Sequence, residues 1–192
     1  PECTCIFKVS PRRFMQPISD NAFQGILLSL TPRLRAFARM LSSMPQFADD
    51  LVHNTLLQAW EQRYSAPRRE QVDEWLFYLL RSYYYMDKRR QAVIRMDGNR
   101  VMTPIGQIAL RAGAVNALAE LSDLEREVII LFDASGFECE QIARIVSAPE
   151  RSVKMRLSNA RQQLLELDKR SKSKSAKSAA VSADGASRLI LH

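Results

Sequence analysis

Two clusters of side chains in this sequence are suited to chemistry on a polyanion. The first is Tyr83, Tyr84 and Tyr85, followed by Lys88, Arg89 and Arg90. Aromatic rings stack on unpaired bases, and neighbouring cations hold the phosphates between them. The second is the run Arg151, Ser152, Lys154, Met155, Arg156, Ser158, Asn159 and Arg161. Arg, Ser and Asn side chains match the hydrogen-bonding edges of paired bases, and Lys and Arg match phosphates. The parts of an enzyme are missing. There are two histidines, His53 and His192, no Gly-rich phosphate loop, and no nucleophile paired with a base. Asp49 and Asp50 are adjacent carboxylates, but neighbours on a helix splay by about 100° and do not converge on one substrate. The three cysteines, Cys3, Cys5 and Cys139, form no disulfide framework, and Cys3 and Cys5 could hold a metal only with ligands from elsewhere. We therefore expect no catalytic residue, no metal, no cofactor and no small-molecule substrate.

These clusters need helices to position them, and the apolar spacing predicts helices throughout. Ser19 or Asp20 caps a helix carrying Phe23, Ile26, Leu27 and Leu30. Pro32, with Thr31 as a possible cap before it, leaves two readings: a second helix, or one kinked helix running on through Leu34, Phe37, Ala38 and Leu41. After Pro45 comes a helix with Phe47, Ala48, Leu51, Val52, Thr55, Ala59 and Trp60 at helical spacing. A basic loop over 64–69 leads to a third helix, with Val72, Trp75, Leu76, Leu79, Leu80 and Tyr83 on its buried stripe. Tyr83 lies on that stripe, so Tyr84 and Tyr85 are the better candidates for stacking; the plainer alternative makes all three tyrosines core or rim residues. The period is lost over 94–111, where Gly98, Pro104 and Gly106 suggest a flexible linker.

The period returns beyond the linker. The pattern SDLE at 122–125 is a capping box that opens a helix with Val128, Leu131 and Phe132, ended by Gly136. A short helix with Ile142, Ala143 and Ile145 follows. The pattern SAPE at 147–150 is a second capping box, opening a last helix with Val153, Leu157, Ala160 and Leu164 turned inward. Two short helices joined by a tight turn, the second one basic, read as a helix-turn-helix. With that stripe inward, Arg151, Met155, Ser158 and Gln162 point outward. Lys154 and Arg161 then lie on one flank, and Ser152 and Asn159 on the other. An ordinary amphipathic surface helix would share much of this pattern. Met155 either packs on a thymine methyl or weakens readout.

The net charge of +7 is uneven: +4 of it falls in residues 168–192, a Ser/Lys/Ala stretch read as disordered tail. Nucleic-acid binding must therefore be argued from local patches. No apolar run is long enough to span a membrane, so the cytoplasm is the default and membrane insertion is not expected. The fold class expected is all-α. It comprises an irregular arm (1–17), a helical domain (18–93), the linker (94–111), a helix-turn-helix domain (112–168) and the tail (169–192).

Three stretches together resemble the extracytoplasmic-function group of bacterial RNA polymerase sigma factors. Residues 48–60 (ADDLVHNTLLQAW) are similar to the helix that docks on the polymerase clamp. Residues 74–81 (EWLFYLLR) and the tyrosines after them are similar to the helix that opens the −10 element. Residues 117–121 (ALAEL) through 152–161 (SVKMRLSNAR) are similar to the domain that reads the −35 element. The stretch ASGF at 134–137 resembles the general-stress subgroup of alphaproteobacteria.

The resemblance implies three sets of contacts. Asp49, Asp50, Val52, Asn54, Thr55 and Gln58 would face core polymerase. Tyr64, Arg68, Arg69, Arg81, Tyr84, Tyr85, Lys88 and Arg89 would hold the flipped base and melted strand of the −10 element. Arg151, Ser152, Lys154, Met155, Arg156, Ser158, Asn159 and Arg161 would approach the −35 duplex. The implied partners are core RNA polymerase, promoter DNA and an anti-sigma factor. Several positions depart from the family pattern: His53, Asn54, Ser82, Met155, and Ser147 and Arg151, which stand where glycine is common. Those last two require a backbone that keeps negative φ. Two rival readings remain: a sigma-like decoy that binds an anti-sigma factor without reading promoters, and a helix-turn-helix regulator that works without polymerase.

Overall fold

The computed structural model describes residues 18–42, 45–96, 117–118 and 120–188; side chains are described at 18–42, 46–91, 117–118 and 120–170. The arm (1–17) and residues 97–111 of the expected linker lie outside the described residues. No strand occurs among the described residues, and none of their helices is long and apolar enough to cross a membrane.

Helix α1 runs Asp20–Leu41 as one piece. Ser19 is its N-cap, its hydroxyl accepting from the Ala22 amide, and Asp20 adds a carboxylate to the positive end of the helix dipole. Pro32 sits inside the helix, so the reading with Thr31 as a cap is corrected. Thr31 is helical, and its hydroxyl donates to the Leu27 carbonyl at 2.7 Å. Ser29 donates likewise to Ile26 at 2.8 Å. The carbonyl that Pro32 leaves without an amide belongs to Leu28, a residue 66% exposed, where water can serve it. The stripe Phe23, Leu27, Leu34, Phe37, Ala38 and Leu41 is buried and spans the proline, which keeps the helix in one piece.

Helix α2 (Pro45–Glu61) and helix α3 (Val72–Met96) pack on α1 to close a first bundle. Two short 3₁₀ turns, Arg63–Ser65 and Arg69–Gln71, join them. The expected third-helix stripe Val72, Trp75, Leu76, Leu79 and Leu80 is buried in it. Helix α3 extends three residues past the expected end of the first domain, to Met96.

In the second bundle, α4 (Asp123–Ile129) is opened by the predicted capping box of Ser122 and Glu125, with Leu121 buried just before it. The helix then widens into one π turn, Ile130–Ala134, and stops at Gly136 with φ +74°. Helix α5 (Cys139–Val146) has a capping box of its own, from Glu138 and Gln141. Helix α6 runs Glu150–Arg188. Its inward stripe is as expected: Val153, Leu157 and Ala160 are buried and Leu164 is half-buried. Through Arg188, the backbone of the stretch expected as a disordered tail continues this helix.

The turn between α5 and α6 differs from expectation. Ser147 does not cap α6; it is the C-cap of α5, with φ 53° and ψ 46° in the left-handed region. Its amide bonds back to the Arg144 carbonyl at 3.3 Å, and the Pro149 carbonyl receives the first amides of α6. The condition of negative φ therefore fails at Ser147, while Arg151 meets it within the helix. A side chain in this conformation costs about 1–2 kcal/mol, partly offset by the greater unfolded-state freedom of glycine. Ser147→Gly is expected to raise stability by about 0.5–1 kcal/mol in urea unfolding, and Ser147→Val to lower it by more than that.

Candidate nucleic-acid interface and the seam beneath it

Helix α3 is covered on two opposite faces. At about 100° per residue, the stripe Val72, Trp75, Leu76, Leu79 and Leu80 faces the first bundle. Glu74, Phe77, Arg81, Tyr85 and Lys88, spaced by three and four residues, lie on the other side and meet the second bundle.

At the N-terminal end, Arg144 of α5 forks onto Glu74, with Nε 2.7 Å from Oε2 and Nη2 2.9 Å from Oε1. Gln141 donates to the same carboxylate at 3.2 Å, and Glu140 pairs with Arg144 at 2.8 Å. Hydrogen bonding to Glu74 holds the Arg144 guanidinium above its ordinary pKa. Next, Phe77 packs edge-on to Phe137 of the second bundle at 4.8 Å and against Phe37 of its own at 5.1 Å. Arg33 of α1 lies over both Phe77 and Phe137, at 5.6 and 5.3 Å, and donates to the Ser135 carbonyl at 2.6 Å. It thereby ties α1 to the end of the π turn.

Further along, Glu127 of α4 is fully buried and pairs with Arg81 at 2.5 Å, an ion pair without the alignment of a hydrogen bond. The Tyr85 hydroxyl donates to the other oxygen of Glu127 at 3.2 Å, and the Arg81 guanidinium stacks on the Tyr85 ring at 4.8 Å. Burial pushes the Glu127 carboxyl up, against the opposing pull of Arg81; burial and then Glu127 push the Tyr85 phenol up. Lys88 pairs with Asp123 at the open end. Removing either partner of the buried Arg81–Glu127 pair would leave the other charge uncompensated.

The expected −10 residues therefore fall into separate places. Arg81, Tyr85 and Lys88 come together, but on the seam. Tyr64 is 76% exposed, and Arg68, Arg69 and Arg89 are exposed. Arg63, which the sequence reading passed over, stacks on both Trp60 and Tyr64 at 4.6 and 4.2 Å and pairs with Asp20 at 3.2 Å. Tyr84 is corrected: it is a core residue, 6% exposed, its hydroxyl donating to the Leu41 carbonyl at 3.2 Å and its ring against Phe47. Tyr83, expected on the buried stripe, is half-buried at the rim and donates to Gln58 at 2.9 Å.

The expected polymerase-facing set also divides. Asp50 and Asn54 are exposed. Asp49 is exposed too, but paired with Arg35 at 3.0 Å and Arg39 at 3.8 Å. Gln58 is half-buried. Val52 and Thr55 are corrected: both are buried, and Thr55 donates to the Leu51 carbonyl at 2.7 Å, so neither side chain can face a partner.

The outer face of α6 is uncovered. Arg151, Lys154, Met155, Ser158, Asn159 and Arg161 are exposed. Lys154 is braced by Glu150 at 2.7 Å, whose hydrogen bond raises its pKa. Arg161 is braced by Asp133 of the π turn at 2.9 Å and stacks on Phe132 at 4.9 Å. Ser152 and Arg156 are half-buried, and Arg156 lies on the side of Glu127, whose charge it feels. The seam residues Arg33, Glu74, Glu127, Phe137, Gln141 and Arg144 were missed. The available signal was a glutamate beside strongly apolar neighbours at both 74 and 127, since a charge on a buried stripe calls for a partner.

Comparison with known proteins agrees with this geometry. Residues 114–164 match the model of sigma-70, region 4. The chain is 36% identical over 155 residues to the ECF RNA polymerase sigma factor EcfG of Rhodopseudomonas palustris (strain TIE-1), covering 77% of this chain and 85% of that one. It is similar to the sigma factor RpoE of Bartonella quintana, solved with the anti-sigma factor NepR: TM-score 0.69, 37% identity, 77% of this chain and 96% of that one. CnrH, solved with the cytosolic domain of CnrY, shares the fold at TM-score 0.57 and 21% identity, over 78% of this chain and 88% of that one. Two helical bundles, a helix-turn-helix with an uncovered basic face, and a relative alike over most of both chains together place this protein in the family of ECF RNA polymerase sigma factors.

Proposed function

We propose that this chain uses α6 to read the −35 duplex, α3 to hold the melted −10 strand and α2 to dock on core polymerase. The observation that carries this reading is the outer face of α6: base-reading side chains in the middle, braced cations at the edge, and nothing covering it. In that role Arg151, Met155, Ser158 and Asn159 approach base edges, while Lys154 and Arg161 hold phosphates. Ser152 and Arg156 stand at the margin. On α2, Asp50, Asn54 and Asp49 present the polymerase-facing surface, with Val52 and Thr55 supporting it from beneath. Tyr64, Arg68 and Arg69 receive the flipped base. Such a protein is a binding factor rather than a catalyst, and its place is beside polymerase in the cytoplasm.

The seam gives α3 two competing uses. Glu127 and Asp123 occupy the same cations and the same tyrosine that a melted strand would need. In the closed pose, the carboxylates of α4 stand where phosphates would lie. Binding to −10 DNA then requires the second bundle to leave α3, and any partner that favours closure keeps the protein idle. An anti-sigma factor, of the kind found with the Bartonella relative, fits that role. Retention of Lys154 and Arg161 with their braces favours a promoter-reading protein over a decoy.

Transcription in vitro with core polymerase and a promoter library tests the reading. Initiation from defined −35 and −10 elements is expected, with Lys154→Glu and Tyr85→Ala each lowering it at least about tenfold. Binding to core polymerase with no initiation from any promoter would favour the decoy. The two uses of α3 separate in binding of the full chain to a single-stranded −10 oligonucleotide. Glu127→Gln weakens closure and is expected to raise affinity about tenfold or more. Arg81→Ala also opens the seam but removes the grip, and is expected to lower affinity.

A further inference from the structure

Met155 is 59% exposed at the centre of a face whose other members are polar or charged. It lies in the second turn of α6, which begins at Glu150. On this helix, recognition of base edges falls to the N-terminal turns. Its inward neighbours Val153 and Leu157 are buried, so the methionine is not part of the core. Closure of the seam leaves it uncovered as well, so it is not a latch between the bundles. Its surroundings are those of a reader: Arg151 one turn before it, Ser158 and Asn159 one turn after it, all exposed.

The braces on the flanking cations sharpen the point. Lys154 is held by Glu150 and Arg161 by Asp133. On the flanks, both cations are suited to phosphates, and phosphate contacts set the register of a helix on the duplex. The central residues are then presented to the groove floor. That floor offers donors and acceptors at every base pair, but a single apolar group, the C5 methyl of thymine. A thioether chain with three rotatable bonds can reach such a methyl and pack on it, and it has nothing to offer a donor or acceptor. A methionine against any other base edge would desolvate polar groups without satisfying them.

We propose that Met155 is a specificity-determining residue, reading a thymine methyl within the −35 element. The inference rests on the assignment of α6 to the −35 duplex and adds to it the chemical group that one side chain recognises.

The test uses the full chain assembled with core polymerase on a promoter that it transcribes. Each −35 thymine, on either strand, is replaced in turn by deoxyuridine, which removes the methyl and nothing else. Wild type is expected to lose about fourfold in promoter affinity at one or two positions, the worth of one buried methyl. Met155→Ala is expected to bind more weakly and to be indifferent to deoxyuridine at those same positions. Met155→Leu, still apolar, is expected to recover most of the discrimination. Full affinity of the wild type at every deoxyuridine position, or an element without thymine, would overturn the inference. So would equal methyl dependence in wild type and Met155→Ala. Failure of the underlying assignment looks different: Lys154→Glu would then leave −35 dependence intact.

Discussion

A carboxylate with no exposure to water organises this molecule. Glu127 lies between Arg81 and Tyr85, and burial of its charge is tolerable only because those two groups meet it. The constraint acts on both bundles. In the first, Arg81 and Tyr85 must stay on one face of α3. In the second, α4 must present Glu127 toward that face, with Ser122 and Glu125 fixing where the helix begins. Glu74 and Arg144 repeat the arrangement at the other end, and the Phe77–Phe137 contact with Arg33 fills the space between. The two bundles are thus joined by ion pairs at both ends and by an aromatic contact between them. Such a seam is specific in register, and its cations are of a kind that phosphates can also engage.

Under the proposed function, an exchange of carboxylates for phosphates on those cations is what links the fold to promoter binding. One helix, α3, serves its own core with one face and a second partner with the other. The second partner is the α4–α5 surface in this structure and, under the proposed function, the melted strand when promoter DNA is bound. The outer face of α6, by contrast, is not covered by the first bundle, so under the proposed function it can approach a duplex without rearrangement. Under the same reading, the −35 surface on α6 is uncovered in this structure, whereas the Arg81, Tyr85 and Lys88 part of the −10 surface is covered by the second bundle.

The sequence foretold the helices wherever their buried face was wholly apolar. The stripes of α1, α3 and α6 and the capping box at Ser122 follow from residue type and spacing alone. Elsewhere two demands fell on one residue. Ser147 satisfies a capping-box pattern, but α5 ends there and claims it as a left-handed C-cap, a role that serine rarely advertises. Thr31 and Pro32 look like a helix start, but the stripe on both sides of them is continuous, and tertiary burial prevails over the local signal. Val52 and Thr55 were assigned to a partner surface by resemblance, although their spacing with Ala48, Leu51 and Ala59 already placed them inward. Tyr84 and Tyr85 differ by one position and about 100° of helix, enough to send one to the core and the other to the seam. The seam itself escaped notice because Glu74, Arg81 and Lys88 count as polar. Only their spacing of three and four residues with Phe77 and Tyr85 marks a second buried face.

The most direct measurement is the distance between the bundles, by energy transfer between dyes at Gln24 on α1 and Gln162 on α6, both exposed. It is read for the full chain alone and then saturated with a single-stranded −10 oligonucleotide. If one face of α3 serves both partners, the strand must displace α4, and the distance is expected to rise and broaden on binding. A strand that binds while the distance stays unchanged would show that the seam and the −10 surface are different places.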